Sequence, residues 1–287
     1  MAEKDLTEKA LEDLEDVFAD IVNVLLFDGR AIIDERDLEE ASPYSNYTAG
    51  GKIRSQERDV VKYWKNSELR MATIGFENQT VCDKDMPLRI MNYDGASYRK
   101  QFSPENDNPR YPVISLVLYY GYKHRWDGPR TLRECLDIPH ELDKYVCDYA
   151  MNVFEIAYLS DEQLSKLKSD FKVVADYFVQ MRKTGNYTPP TDEIIHVQEV
   201  LSLMSALTND NRFVDSYDEV KKEKKVNMCV VLDKVEEKGI EKGIEKGIEV
   251  GKITARYEDG MSIEQIAEKT NVSVQVVKNV LKEAGMI

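Results

Sequence analysis

Apolar residues recur at helical spacing near the start of the chain, at Leu11, Leu14, Val17, Phe18, Ile21, Val24 and Leu25. That rhythm predicts one amphipathic helix from about Asp5 to Leu26, broken by Asp28-Gly29-Arg30. A polar connection follows, with Pro43, Gly50 and Gly51 as its turn residues. Asp59 to Trp64 and Leu69 to Phe76 are rich in β-branched and aromatic residues. They predict two strands, paired through a hairpin turn at Lys65-Asn66-Ser67. Asp85 to Phe102 reads as a helix with Pro87 near its first turn. Tyr111 to Tyr120, YPVISLVLYY, is the near-continuous apolar run of a strand buried on both faces, and Val153 to Leu159 suggests another strand.

From Ser160 the pattern turns helical. Ser160-Asp161-Glu162 opens one helix, and Thr191-Asp192-Glu193 opens another after Pro189-Pro190. Residues 236–251 repeat with a period of four, placing Gly239, Gly243, Gly247 and Gly251 in register. They predict an exposed connecting helix in which each glycine costs up to ~1 kcal/mol. The same regularity would allow two helices to approach closely, so a homodimer is one expectation. In the tail, Ser262 caps a helix bearing Ile263, Ile266 and Ala267. Thr270-Asn271-Val272 turns the chain, and Ser273 caps a helix bearing Val276, Val277 and Val280. This helix-turn-helix-like hairpin reads equally as a DNA-binding unit or as a small module for protein contact. The expected division is a core over 1–160, a helical region over 161–235, a glycine-repeat helix over 236–256 and the hairpin over 257–287.

Composition narrows the class. With 42% hydrophobic and 32% charged residues, the 287-residue chain is globular rather than disordered. Its longest apolar run falls well short of the ~18–20 residues needed to span a bilayer, and the acidic N-terminus has no apolar signal core. A cytoplasmic protein without membrane association is expected. The four cysteines and three histidines are dispersed, with no spacing that suggests zinc, a disulfide framework or histidine-based catalysis. A net charge of −14 means that any nucleic-acid contact must rely on a local basic surface. Lys52, Arg54, Arg58, Lys62, Lys65 and Arg70 supply either such a surface or a solvated strand edge.

The two predicted strands also carry candidate chemistry. Residues i and i+2 of a strand share a face, so Glu77 and Gln79 point together, while Asp59 begins the neighbouring strand. Two converging carboxylates and a polar group to orient water meet the needs of Mg²⁺-assisted phosphodiester hydrolysis. Asp20, on the first helix, is a candidate third carboxylate. The spacing alone is common in unrelated chains.

Several stretches strengthen it: FADIVN around Asp20, ERDVVKYW around Asp59, IGFENQT around Glu77, then DMPLRIMNYDGASYRKQ, YPVISLVLYYG and the EKGIEKG repeat. Together they resemble the recombination-promoting nucleases, PD-(D/E)XK family transposases. The resemblance implies a restriction-endonuclease-like α/β core, a central mixed sheet flanked by helices, to which the pattern of the chain adds the helical region and the small C-terminal hairpin. It further implies a Mg²⁺-dependent DNA endonuclease associated with recombination or mobile elements. Asp59 and Glu77 would bind the metal, Gln79 would stand where the wider superfamily more often has lysine, and Asp20 would be the acid of the first helix. Glutamine can orient water but cannot neutralise charge, which leaves a catalytically degenerate DNA-binding or assembly protein as the alternative. Arg58, Lys62, Tyr98, Arg99 and Lys100 are the candidate DNA contacts, with Arg89 and Tyr93 beside them; packing against the sheet is the competing role for the tyrosines.

Overall fold

The computed structural model describes residues 9–49, 52–66, 69–102, 109–223 and 225–287. Within them the predicted first helix is broken. A single turn, α1 (Ala10–Asp13), ends at Leu14, whose backbone is extended (φ −69°, ψ 133°), and α2 (Glu15–Phe27) then begins. The apolar rhythm runs on through the break, and no glycine or proline marks it. At its far end α2 stops where expected, with Asp28 and Gly29 both in the left-handed region (φ 56° and 79°). The part of the predicted helix before Lys9, the turn residues Gly50 and Gly51, and Ser67 lie outside the described residues.

The strands are β1 (Leu38–Glu40), β2 (Tyr44–Ala49), β3 (Lys52–Glu57), β4 (Val60–Asn66), β5 (Leu69–Gln79), β6 (Val113–Tyr119) and β7 (Asn152–Glu155). Five form one mixed sheet in the order β1-β4-β5-β6-β7, while β2 and β3 pair separately. β4 and β5 run antiparallel with Val60 opposite Phe76; β5, β6 and β7 run parallel. The long connection from β5 to β6 contains α3 (Met86–Lys100), with Pro87 in its first turn as predicted. β7 is shorter than the predicted strand because Ile156–Tyr158 coil into one turn of 3-10 helix.

Side-chain alternation along β5 and β6 divides the sheet into two faces. Ile74, Phe76, Leu116 and Leu118 join Val17, Phe18 and Ile21 of α2 in the main core, where the rings of Phe18 and Phe76 stack at 4.4 Å. Val117 and Tyr119 point the other way, against Met86, Ile90 and Tyr93 of α3, with Trp126 and Met151 closing that smaller cluster. Burial on both faces accounts for the continuous apolar run of β6.

The helical extension comprises α4 (Asp161–Lys166), α5 (Phe171–Thr184), α6 (Val197–Thr208), α7 (Arg212–Asp215), α8 (Tyr217–Val220), α9 (Met228–Glu258), α10 (Ile263–Thr270) and α11 (Val274–Glu283). Ser160 caps α4 in a capping box with Gln163. The helix expected to open at Thr191 instead starts at Val197. The intervening backbone is drawn off by other partners: Ile194 N–H donates to the Val226 carbonyl (2.8 Å), and the N–H groups of Ile195 and His196 donate to Asp170. α5, α6 and the first turns of α9 share the main core with the sheet through Phe171, Phe178, Leu201, Met204, Met228 and Val231. A separate small core forms around Ile253, Ile266, Ala267, Val277 and Leu281, where the end of α9 meets α10 and α11. There Ser262 and Ser273 cap their helices, and Asn271 makes the left-handed turn between them. A mixed sheet flanked by helices and followed by a helical region is the architecture of a restriction-endonuclease-like core with a helical extension.

Candidate active site

The last residues of β5 gather two carboxylates, Glu12 and Glu77, whose ionisation burial disfavours. Glu77 lies on the α3 face and is 2% exposed. Arg89 of α3 donates to its Oε1 and also to Asp83 (2.9 Å), whereas Glu77 Oε2 is buried with no hydrogen-bond partner. Asp59 stands just before β4, at the level of Glu77 when the Val60–Phe76 register is continued. Its Oδ2 accepts the backbone N–H of Asn78 at 2.7 Å, and its Oδ1 lies 3.3 Å from the Lys9 ammonium. Across the strand, on the opposite face, the Asn78 amide donates to Glu12 Oε2 (2.6 Å) and the Tyr120 hydroxyl donates to Glu12 Oε1 (2.8 Å). Glu12, Asp59 and Glu77 thus surround one strand end, with Asp59 facing both of the others.

This arrangement disfavours negative charge. Burial pushes Glu12 up to about 7, and the charge of Asp59 adds to the effect, although the bonds from Asn78 and Tyr120 oppose it. Burial, followed by Asp59, also raises Glu77 well above the usual carboxylate range; Arg89, Arg58 and Lys9 pull the other way without cancelling the shift. Burial lowers Lys9, but Asp59 and Glu57 outweigh it and leave the ammonium above the ordinary lysine value. Two acids that resist ionisation beside a third, with one buried oxygen unpartnered, form a place where a cation would be welcome.

Behind the cluster lies a buried polar network. Arg58, 3% exposed, donates to Asp94 Oδ1 at 2.7 Å, and Ser115 donates to the same oxygen at 2.6 Å. The Tyr149 hydroxyl donates to the other oxygen, Oδ2. The Arg58 side chain crosses β5 over Gly75, where an added Cβ would lie 2.5 Å from Arg58 Cδ. The glycine of IGFENQT therefore makes room for this arginine.

The structure brings together some of the residues singled out in the sequence and separates others. Asp59 and Glu77 share the strand end. Gln79, half-buried, follows Glu77 on the same face, and its carbonyl accepts Tyr120 N–H at 2.8 Å. Asp20 lies elsewhere: its carboxylate accepts the N–H groups of Lys168 (2.8 Å) and Ser169 (2.7 Å), holding the turn before α5. Glu12 is the acid that the N-terminal segment actually contributes. Arg58 and Lys62 are buried, the latter's ammonium lying among Glu40 (2.6 Å), Asp13 (3.2 Å) and Glu15 (3.5 Å), so neither presents its charge to a phosphate. Tyr98, Arg99 and Lys100 are exposed at the end of α3. The Tyr98 hydroxyl accepts Val113 N–H, and Lys100 donates to the carbonyls of Ser42 and Tyr44. The side chains of Lys52 and Arg54 lie outside the described residues.

Three contributors were not singled out in the sequence. Glu12 and Lys9 were hidden by the unmarked break at Leu14. Asp94 did leave a signal, since it falls four residues after the buried Ile90 on the inward stripe of α3. Among the described residues, no group of three or more His, Cys, Asp or Glu side chains is arranged as a ready-made metal site.

The mixed sheet flanked by helices places the core in the restriction-endonuclease-like fold class. Within that class, residues 68–208, just under half of the chain, match the family described as "Putative transposase, YhgA-like". The relationship is distant and partial: it covers Glu77, Gln79, Arg89 and Asp94 but stops short of Asp59 and Glu12. No curated protein and no solved structure matches the chain. Among the described residues, no helix is long and apolar enough to cross a membrane.

Proposed function

We propose that the protein is a metal-dependent DNA endonuclease whose site is the end of β5. The observation that carries this reading is the buried, unpartnered Oε2 of Glu77 beside Asp59. Mg²⁺ usually takes only one or two protein carboxylates and keeps several waters, so Asp59 and Glu77 fit it without a third ligand. When bound, Mg²⁺ would lower the pKa of a coordinated water and stabilise charge on the transferring phosphoryl group. The chain's own groups have distinct tasks. Gln79, next on the Glu77 face, orients a water by hydrogen bonding. Arg89 and Lys9 hold the two carboxylates until a cation arrives. Tyr98, Arg99 and Lys100 offer an exposed edge to the DNA backbone. The partial family match supports DNA as the substrate, with recombination or mobile elements as its setting.

A second reading, a nuclease fold that has lost catalysis and serves as a DNA-binding or assembly module, is favoured by the cations already seated on both carboxylates and by glutamine at position 79. Nicking of supercoiled plasmid with Mg²⁺ and with EDTA separates the two, using wild type and Glu77→Ala. Cleavage that requires both the metal and Glu77 supports the enzyme. Cleavage unaffected by Glu77→Ala would falsify the assigned site, and none with any divalent metal would leave the binding module.

A further inference from the structure

The middle of α9 presents apolar side chains to water on a helix whose ends are both buried. Val231 and Val235 enter the main core and Ile253 enters the C-terminal one, yet Ile240, Ile244 and Ile248 are 56%, 58% and 53% exposed. Beside them, a Cβ added at Gly243, Gly247 or Gly251 would meet nothing within 4 Å. Isoleucines at every fourth position of a helix, next to an open row of glycines, form a surface shaped to receive something.

The four-residue repeat decides what fits. At 100° per residue, a period of four sorts the helix surface into four ridges along the i±4 rows. In order around the cylinder they carry glutamate, isoleucine, glycine and lysine. The glycine row is a groove, with the isoleucine ridge on one side and the lysine ridge on the other, where Lys246 is exposed while Lys238 is already paired with Glu219 of its own chain. Glu241 and Glu245 border the isoleucines on their outer side.

Two copies of this surface can face each other in two ways. When two helices run in the same direction about a two-fold axis, opposite flanks of their facing surfaces meet. The isoleucine ridge of each copy then enters the glycine groove of the other, and the glutamate row of each faces the lysine row of the other. When the helices run in opposite directions, like flanks meet: isoleucine against isoleucine, groove against groove, glutamate against glutamate. Shape and charge therefore select the same arrangement.

We infer that α9 is a self-association surface on which two copies of this chain pair in parallel, Ile240, Ile244 and Ile248 of each seated over Gly243, Gly247 and Gly251 of the other. Packing of i±4 ridges into i±4 grooves sets the helices at roughly −50° to one another. A parallel pair brings the two α10–α11 hairpins to the same end of the assembly, which gives that end two-fold symmetry. The inference rests on α9 alone and is independent of whether the β5 site cleaves DNA.

Light scattering on the full chain reads the first part directly. A mass of twice 33.1 kDa is expected. The combined Ile240→Glu and Ile244→Glu variant, altered only at exposed positions, is expected to fall to the single-chain mass with unchanged far-ultraviolet circular dichroism. A monomeric wild type, or a dimer indifferent to both substitutions, overturns the proposal. Orientation is read from Ile240→Cys and Ile248→Cys, each made alone in the full chain and oxidised mildly, with wild type as the baseline for the native cysteines. In a parallel pair each variant cross-links to itself. Cross-linking that appears only when the two variants are mixed means an antiparallel pair and overturns it equally.

Discussion

The two faces of the central sheet are built on different principles. Toward α2 and α5, the sheet presents Ile74, Phe76, Leu116 and Leu118 to an almost wholly apolar core. Toward α3 it carries Glu77, Gly75 and Ser115 among its residues, and beside a small apolar cluster around Met86, Ile90 and Trp126 lie buried ionised or hydrogen-bonded groups: Arg58, Asp94, Tyr149 and Arg89. Apolar burial is non-directional and tolerates repacking, whereas a buried charge needs a specific partner in a specific place. The first face makes the fold stable; the second fixes where a few polar atoms sit. Glu12 links them, a buried acid on the apolar side at the same strand end as the candidate site.

The contrast predicts that the polar face fails abruptly when one partner is lost. Asp94→Ala leaves the buried Arg58 guanidinium without its carboxylate, and such losses cost about 3–5 kcal/mol. Chemical denaturation should find the variant destabilised by that amount. Replacing both residues, Asp94→Leu with Arg58→Met, should recover much of it, because two apolar side chains need no partners. On the other face, Phe76→Ala removes the ring stacked on Phe18 and should cost a similar ~3–5 kcal/mol, yet Phe76→Leu should cost far less. If the double replacement on the polar face recovers nothing, the network has a role beyond charge pairing and the contrast fails.

Glu12 sharpens the comparison through pH. Its folded-state value of about 7 lies above the ordinary 4.5, so the folded protein holds this proton more tightly than the unfolded chain does. The resulting stability is full below pH about 4.5 and is lost as pH rises through about 7. At ~1.36 kcal/mol per pKa unit, ionising Glu12 in the fold costs on the order of 3 kcal/mol. Glu12→Gln removes that cost. Urea unfolding should show the variant close to wild type at pH 5 and more stable by roughly 2–3 kcal/mol at pH 8. A difference that does not change between the two pH values would mean that Glu12 stays neutral throughout or is already ionised at pH 5.

How much of this could be read from the sequence follows the same division. Periodicity reports apolar faces, so β4, β5, β6 and α3 were legible, as were Ser160, Ser262 and Ser273, whose side chains act on backbone within a few residues, and the turn at Asn271, whose own backbone is left-handed. Asp59 and Glu77 were legible because pairing of adjacent strands fixes their meeting point. What stayed hidden depends on distant contacts. Arg58 and Lys62 look like surface cations in a basic stretch, and only the packing of α1, α3 and β1 against them supplies Asp94, Asp13 and Glu40. The break at Leu14 has no local signature at all, and it decides which N-terminal acid reaches the strand end.

That decision is testable on Asp20, the acid on the unbroken part of the helix. Its carboxylate serves backbone, accepting from Lys168 and Ser169 much as a capping side chain does. Loss of such a cap typically costs ~1 kcal/mol. Asp20→Ala should therefore lower stability by about that much, with Mg²⁺-dependent nicking per folded molecule unchanged. Asp20→Asn keeps an acceptor for those N–H groups and should restore most of the stability. Were Asp20→Ala to abolish nicking while leaving the denaturation midpoint in place, the acid would belong to the chemistry, and the assignment of Glu12 as the residue contributed by the N-terminal segment would be wrong.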